Sequence, residues 1–205
     1  MRIPIAPAST EIEVKRSRFI AIAEPVTNTE EMKAMISAVR NQHPQANHVV
    51  HAAIMGEDGA QFSFSDDHEP KHTAGRPMLE VLKGSNTTNI LLMVVRYFGG
   101  TLLGTGGLVK AYGDAAKAVL SILKTEELIH RTTLEITIDY DIYEQVQNLL
   151  NENKSQFKAD FAIQVTIEAI VPTSQVETVS TQITNLSAGT AVILVTQAPE
   201  HQVVQ

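Results

Sequence analysis

The chain of 205 residues contains no cysteine and no tryptophan. Without cysteine there is no disulfide framework, no thiolate nucleophile and no cysteine zinc finger, and the composition suits a reducing compartment. Long apolar runs are also missing. The longest purely aliphatic stretch, Ile90 to Val95, falls far short of the ~20 residues that a membrane helix requires. Arg2, Glu11, Glu13, Lys15, Arg16 and Arg18 break up the amino-terminal segment and leave no signal-peptide core. The expectation is a cytoplasmic protein with no membrane partner.

The second half is short of positive charge. Residues 131–205 hold 3 Lys and Arg against 9 Asp and Glu, whereas residues 1–130 hold 13 against 14, within a net charge of −7. The carboxy-terminal part is therefore a poor ligand for polyanions, and any binding of nucleic acid must come from a local patch in the first part. With 43% hydrophobic and 19% charged residues, the chain is rich enough in apolar side chains to bury a core and is long enough for two small domains.

Residues 132–197 read as one complete unit. TTLEITIDY alternates like a strand, and DIYEQVQNLLNEN places Ile142, Val146, Leu149 and Leu150 on one helical face. FKADFAIQVTIEAIV supplies two strands. Ser174 and Glu177 form a capping-box pattern opening a second helix, with Val176, Val179, Ile183 and Leu186 inward and Gly189 at its stop, and TAVILVTQ closes the unit. The order β-α-β-β-α-β is that of a ferredoxin-like domain.

The first part is also mixed. Strand-like TEIEV and SRFIAIAEPV precede a helix that opens on a Thr27–Glu30 capping box and buries Met32, Met35, Ile36 and Val39. HVVHAAIM and QFSFS read as strands, residues 65–75 as a polar loop, and NILLMVVRYF as a strand buried on both faces. The last helix spans about residues 107–123, with Leu108, Ala111, Tyr112, Ala115, Val119 and Ile122 as its apolar stripe. KTEELIHRT, Lys124 to Thr132, is the polar crossing between the units. The expected fold class is α+β, with domains at 1–128 and 129–205.

Two stretches suggest chemistry. SDDHEPKHTAGRPML contains HEPKH, which spells the zinc-protease pattern H-E-x-x-H. That pattern places two imidazoles one helical turn apart. Pro70 biases Glu69 toward extended backbone, and a helix starting at Pro70 would leave His68 outside it, so no metal site is expected here. RYFGGTLLGTGGLVKAYG places five glycines before or at the start of a helix. It is neither a Walker loop nor a dinucleotide fingerprint, but the amides of Gly104, Gly106 and Gly107, with Arg96 and Lys110 nearby, suit an anion.

With KRSRFIA near the start, FSDDHEPKHTAGRPML and VVRYFGGTLLGTGGLVKAYG closely resemble the YigZ/IMPACT family across essentially the whole chain. The resemblance is to bacterial members, which lack an additional amino-terminal domain of the eukaryotic forms. It implies a β/α domain like those of ribosomal proteins and translation factors, followed by a ferredoxin-like domain akin to one in elongation factor G. Eukaryotic relatives regulate translation by interfering with activation of an initiation-factor kinase, and bacterial members are candidates for nucleic-acid or ribosome binding.

The family motif maps onto Lys15, Ser17 and Arg18, onto Ser65, Asp66, Asp67, Glu69, Thr73 and Gly75, and onto Arg96, Gly99, Gly100, Gly104, Gly106, Gly107 and Lys110. The family form of the loop is S-D-D-G-E-P-x-G-T-A-G, so this chain has histidine where glycine is expected at positions 68 and 72. Near His48 the family often has a cysteine two residues on, and here that residue is Val50.

The reading that follows is a binding protein associated with translation, with no catalytic residue and no cofactor. It would contact RNA or the ribosome through Lys15, Arg18, Arg96, Lys110 and the glycine turn, with the acidic loop holding Arg76 or Arg18 in place. The competing expectations are an enzyme in which Asp66, Asp67 and Glu69 gather a hard cation next to a phosphate-bearing substrate, and a protein-binding regulator.

Overall fold

The computed structural model describes residues 1–196. The chain divides into two compact units, Met1–Leu128 and Ile129–Gln205. In order, the elements are β1 (Arg2–Pro4), β2 (Ala8–Val14), β3 (Ser17–Pro25), α1 (Thr29–Gln42), β4 (His48–Met55), β5 (Gln61–Ser65), α2 (Gly75–Gly84), β6 (Ile90–Tyr97), α3 (Gly104–Ile122), β7 (Thr125–Glu127), β8 (Arg131–Ile138), α4 (Tyr143–Glu152), β9 (Gln156–Phe161), β10 (Val165–Pro172), α5 (Val176–Leu186) and β11 (Val192–Thr196). Every strand pair in the sheets is antiparallel, which makes the fold α+β.

The first unit is a five-stranded sheet in the order β2-β3-β6-β4-β5. Its central strand, β6, divides its side chains strictly by alternation. Ile90, Leu92 and Val94 enter a core shared with α2 and α3, whereas Leu91, Met93 and Val95 enter a second core with Met32 and Val39 of α1. That is why the strand reads as a continuous apolar run. Arg96 is next in the alternation on the α2–α3 side, and it is buried.

The sequence leaves out one helix of this unit and displaces the edges of others. α2 has no capping side chain of its own at Ala74. Its amide acceptor is Asp66, far upstream, so no local signal marks its start. The cap of α1 is Asn28, whose side chain accepts from the Glu31 amide at 2.8 Å. Glu31 in turn accepts from the Thr27 amide at 2.9 Å, so the box lies one residue later than Thr27–Glu30. α3 begins at Gly104 rather than Gly107, and Ile122 at its end is exposed. The crossing from Lys124 is also shorter than its polarity suggests, because β7 pairs with β1 in a two-stranded sheet.

The second unit is a four-stranded sheet in the order β11-β8-β10-β9, the ferredoxin-like arrangement of a βαββαβ chain. Leu134, Ile136 and Ile138 of β8 and Val165, Ile167, Ala169 and Val171 of β10 alternate onto a core closed by Val146, Leu150, Val179 and Ile183 from the helices. A 3-10 turn, Thr173–Gln175, precedes α5, and its amino terminus carries no side-chain cap, so Ser174 and Glu177 form no capping box. Leu186 is exposed. The helix stops in a Schellman turn in which the Gly189 amide bonds the Thr184 carbonyl at 2.8 Å, while Ala188 at φ 50° takes the left-handed position. Gln197, the last residue of the expected closing strand, and the domain's remaining residues 198–205 lie outside the described residues.

Because this core closes using residues of the second unit alone, a fragment of residues 129–205 is predicted to fold. Dispersed amide resonances and a cooperative thermal transition are the expected outcome. A collapsed spectrum with no transition would contradict it.

Candidate functional site

The loop between β5 and α2 is held by three acidic side chains, each used differently. The Asp66 carboxylate accepts from the His72 amide at 2.7 Å, the Ala74 amide at 3.1 Å and the Gly75 amide at 2.9 Å, so it caps α2 and complements its dipole. Asp67 accepts from the Val49 amide and from the Arg40 guanidinium, both at 2.6 Å. Burial alone would raise the Asp67 carboxyl, but the Val49 amide and Arg40 overcome it and hold it below the ordinary carboxylate range.

Glu69 is buried. Its Oε1 accepts from Arg96 Nη1 at 2.5 Å and from the Tyr112 hydroxyl at 2.7 Å. Cross-strand register places Arg96 between Phe19 on β3 and His48 on β4. The guanidinium carbon lies 5.4 Å from the Phe19 ring centre, and Phe19 meets Tyr112 edge-on at 5.2 Å. His48 Nδ1 faces the Asp67 carbonyl at 2.7 Å. A carbonyl only accepts, so that nitrogen carries the proton. His48 Nε2 stands 3.7 Å from Glu69 Oε1. Burial, together with the Glu69 carboxylate, pushes the Tyr112 phenol well above its usual range, so it remains a donor.

This geometry does not place the three carboxylates on one cation, and the acidic loop holds neither Arg76 nor Arg18. Arg18 instead makes a two-pronged pair with Glu11, at 2.9 Å for each bond. Among the described residues no group of three His, Cys, Asp or Glu side chains has metal-binding geometry. HEPKH is not helical: Asp67, His68 and His72 have φ of 44°, 68° and 63°, and the helix begins only at Gly75.

Most of the remaining motif residues hold backbone in place. Ser65 Oγ accepts from the Asp67 amide at 3.2 Å, and the Thr73 hydroxyl donates to the Pro70 carbonyl at 2.6 Å. Ser17 is buried and accepts from the Gly99 amide at 3.1 Å. A Cβ on Gly75 would lie 2.6 Å from the Ser65 carbonyl oxygen, and one on Gly99 would lie 2.0 Å from the Arg16 carbonyl carbon. Neither position has room for a side chain. Lys15 belongs to the tight β2–β3 turn, in which it and Arg16 take φ of 49° and 67°.

The glycine turn is different. α3 starts with no capping side chain and no acidic residue in its first turn. Nothing stands within 4 Å of a Cβ built on Gly100, Gly104 or Gly106. Gly107 is tighter, with its Cβ position 3.0 Å from Leu103 Cβ. Lys110, one turn on, is exposed and pairs with Asp114 at 2.7 Å. Phe98, the residue after β6, is 45% exposed. Sequence alone does not mark His48, Arg40 or Tyr112 as site residues; Tyr112 stands only as a member of an apolar helical stripe. Tyr112's only sequence signal is a hydroxyl within an otherwise aliphatic stripe.

Residues 15–120 match the family described as "Impact N-terminal domain", and residues 136–190 match "Domain of unknown function (DUF1949)". An IMPACT family member of Haemophilus influenzae is 37% identical over 195 residues, spanning 93% of this chain and 94% of that protein. The IMPACT family member YigZ of Escherichia coli is also 37% identical, over 94% of this chain and 96% of that protein. A solved structure described as "Crystal structure of an hypothetical protein" is 36% identical, covers 98% of each chain and superposes with a TM-score of 0.65.

Replacing both loop histidines with glycine relieves two left-handed non-glycine residues at the cost of a more flexible unfolded chain. A net gain of about 1 kcal/mol is expected for the His68→Gly, His72→Gly pair. Thermal unfolding should show it as a rise of about 2–4 °C, and a fall would mean that the imidazoles make a stabilising contact.

Proposed function

The chain belongs to the IMPACT family, and on that premise we propose that it is a non-enzymatic binding protein in the regulation of translation. It contacts RNA or the ribosome through the glycine turn at the start of α3. Support for this reading comes from subtraction. Ser17, Ser65, Asp66, Asp67, Glu69, Thr73, Gly75 and Gly99 all have duties inside the fold.

Gly106 has no such duty: its φ is ordinary, its Cβ position is open, and it lies within the first turn of a helix. Glycine in a helix costs about 1 kcal/mol relative to alanine. An external group approaching the backbone gives a physical reason for it, and free amides at a helix start favour an oxyanion.

Among the basic residues of the motif, Arg96 is committed to Glu69 and buried, whereas Lys110 and Lys15 are exposed. Arg18 is exposed but paired with Glu11. Phe98 on the same turn adds a flat apolar surface on which an unpaired base can stack. A phosphate at Gly104 and Gly106, Lys110 beside it and a base on Phe98 together describe contact with single-stranded RNA. Against the enzyme reading, each carboxylate of the acidic loop already accepts from protein donors.

Lys110→Ala is the clean probe, because the exposed i,i+4 pair with Asp114 adds only about 0.3–0.5 kcal/mol to the helix. Binding of a fluorescent single-stranded RNA should be weak and salt-sensitive. In the variant, the slope of log affinity against log salt should fall by about 0.7. No binding at low salt, or an unchanged slope, would refute this site.

A further inference from the structure

The second unit ends in an apolar tip. The β9–β10 hairpin and the β8–α4 connection bring together Tyr140, Phe161 and Ile163, which are 52%, 53% and 97% exposed. The tip is held in shape. Tyr140 donates its hydroxyl to the Ala162 carbonyl at 2.6 Å, Gln164 Nε2 donates to Asp139 at 3.0 Å, and the Ala162 amide bonds the Gln164 carbonyl at 3.1 Å. The Phe161 ring meets Tyr143 edge-on at 5.0 Å and lies 6.1 Å from Tyr140. None of these bonds uses the Ile163 side chain, so a polar residue would serve the turn as well.

The surroundings have one sign of charge. Asp139, Asp141, Glu144 and Asp160 are exposed beside the tip in sequence. No lysine or arginine occurs in residues 132–153 or 159–205. Lys158, the basic residue closest in sequence to the hairpin tip, is paired with Glu168 at 3.0 Å on the neighbouring strand. An ordered apolar knob with an acidic rim is poorly suited to nucleic acid and to anionic lipid, since both would be repelled.

We propose that this tip, centred on Ile163 and Phe161, is a docking surface for a protein partner that presents an apolar helical face flanked by lysine or arginine. The apolar residues fill the partner's face, and the carboxylates select its charge and speed encounter. The tip is pre-shaped by the Tyr140 and Gln164 bonds, so little ordering is lost on binding. This assignment is separate from the RNA site, which lies in the other unit.

The test uses the full chain, 15N-labelled, with two synthetic helical peptides that share leucines at i, i+3, i+4 and i+7 and differ only in carrying lysine or glutamate elsewhere. The lysine peptide should bind saturably, with amide shifts confined to residues 139–144 and 160–164. Ile163→Ser should weaken it about tenfold while leaving thermal unfolding unchanged. The proposal is overturned if the lysine peptide fails to bind, if the glutamate peptide binds as well, or if the shifts fall elsewhere. Ile163→Ser binding at wild-type strength would also overturn it. Sedimentation of the free chain supplies a further arm: self-association abolished by Ile163→Ser would assign the tip to a second copy and overturn the proposal.

Discussion

The architecture of the first unit turns on one buried ion pair. Alternation along β6 sends Ile90, Leu92 and Val94 into the core beneath α2 and α3, and the same alternation sends Arg96 there too. A guanidinium in that position is tolerable only with a carboxylate against it, because an unpaired buried charge costs several kcal/mol. Glu69 supplies that carboxylate, and the Tyr112 hydroxyl bonds the same oxygen. One side chain on a loop thus ties together the centre of the sheet and the middle of α3.

Once Glu69 is pinned, the rest of the loop has little freedom. It must return to the start of α2 within a few residues, and it does so with Asp67, His68 and His72 in left-handed backbone and Gly75 pressed on the Ser65 carbonyl. Asp66 and Asp67 hold the turns by accepting five donors from α1, β4, the loop and α2. Positions 68 and 72 both need positive φ, which suits the glycine that the resemblance leads one to expect there. The H-E-x-x-H spelling arises from two histidines standing in glycine geometry.

How much of this was legible follows from where each signal lies. β4 and β5 could be placed from their own residues, as could the two-faced character of β6, because alternation and burial are local properties. The βαββαβ order could be read for the same reason. α2 could not, since the carboxylate that caps it lies eight and nine positions before the amides of Ala74 and Gly75. β1 and β7 are three residues each and pair across most of the unit. The central pair joins residues 27 apart, and the tyrosine bond joins residues 43 apart. Arg96 looked like a phosphate ligand because its sequence neighbours are a glycine turn, although its side chain faces the other way along the logic of the strand, into the core.

The central claim is that Glu69 and Arg96 are needed by each other rather than by a ligand. A double-mutant cycle on unfolding free energy tests it directly. Glu69→Leu alone and Arg96→Met alone should each cost about 3–5 kcal/mol, because each strands a buried charge. The pair together should cost less than either single variant, a coupling of about 3 kcal/mol or more. Single variants that are each nearly neutral, or losses that simply add, would contradict the account.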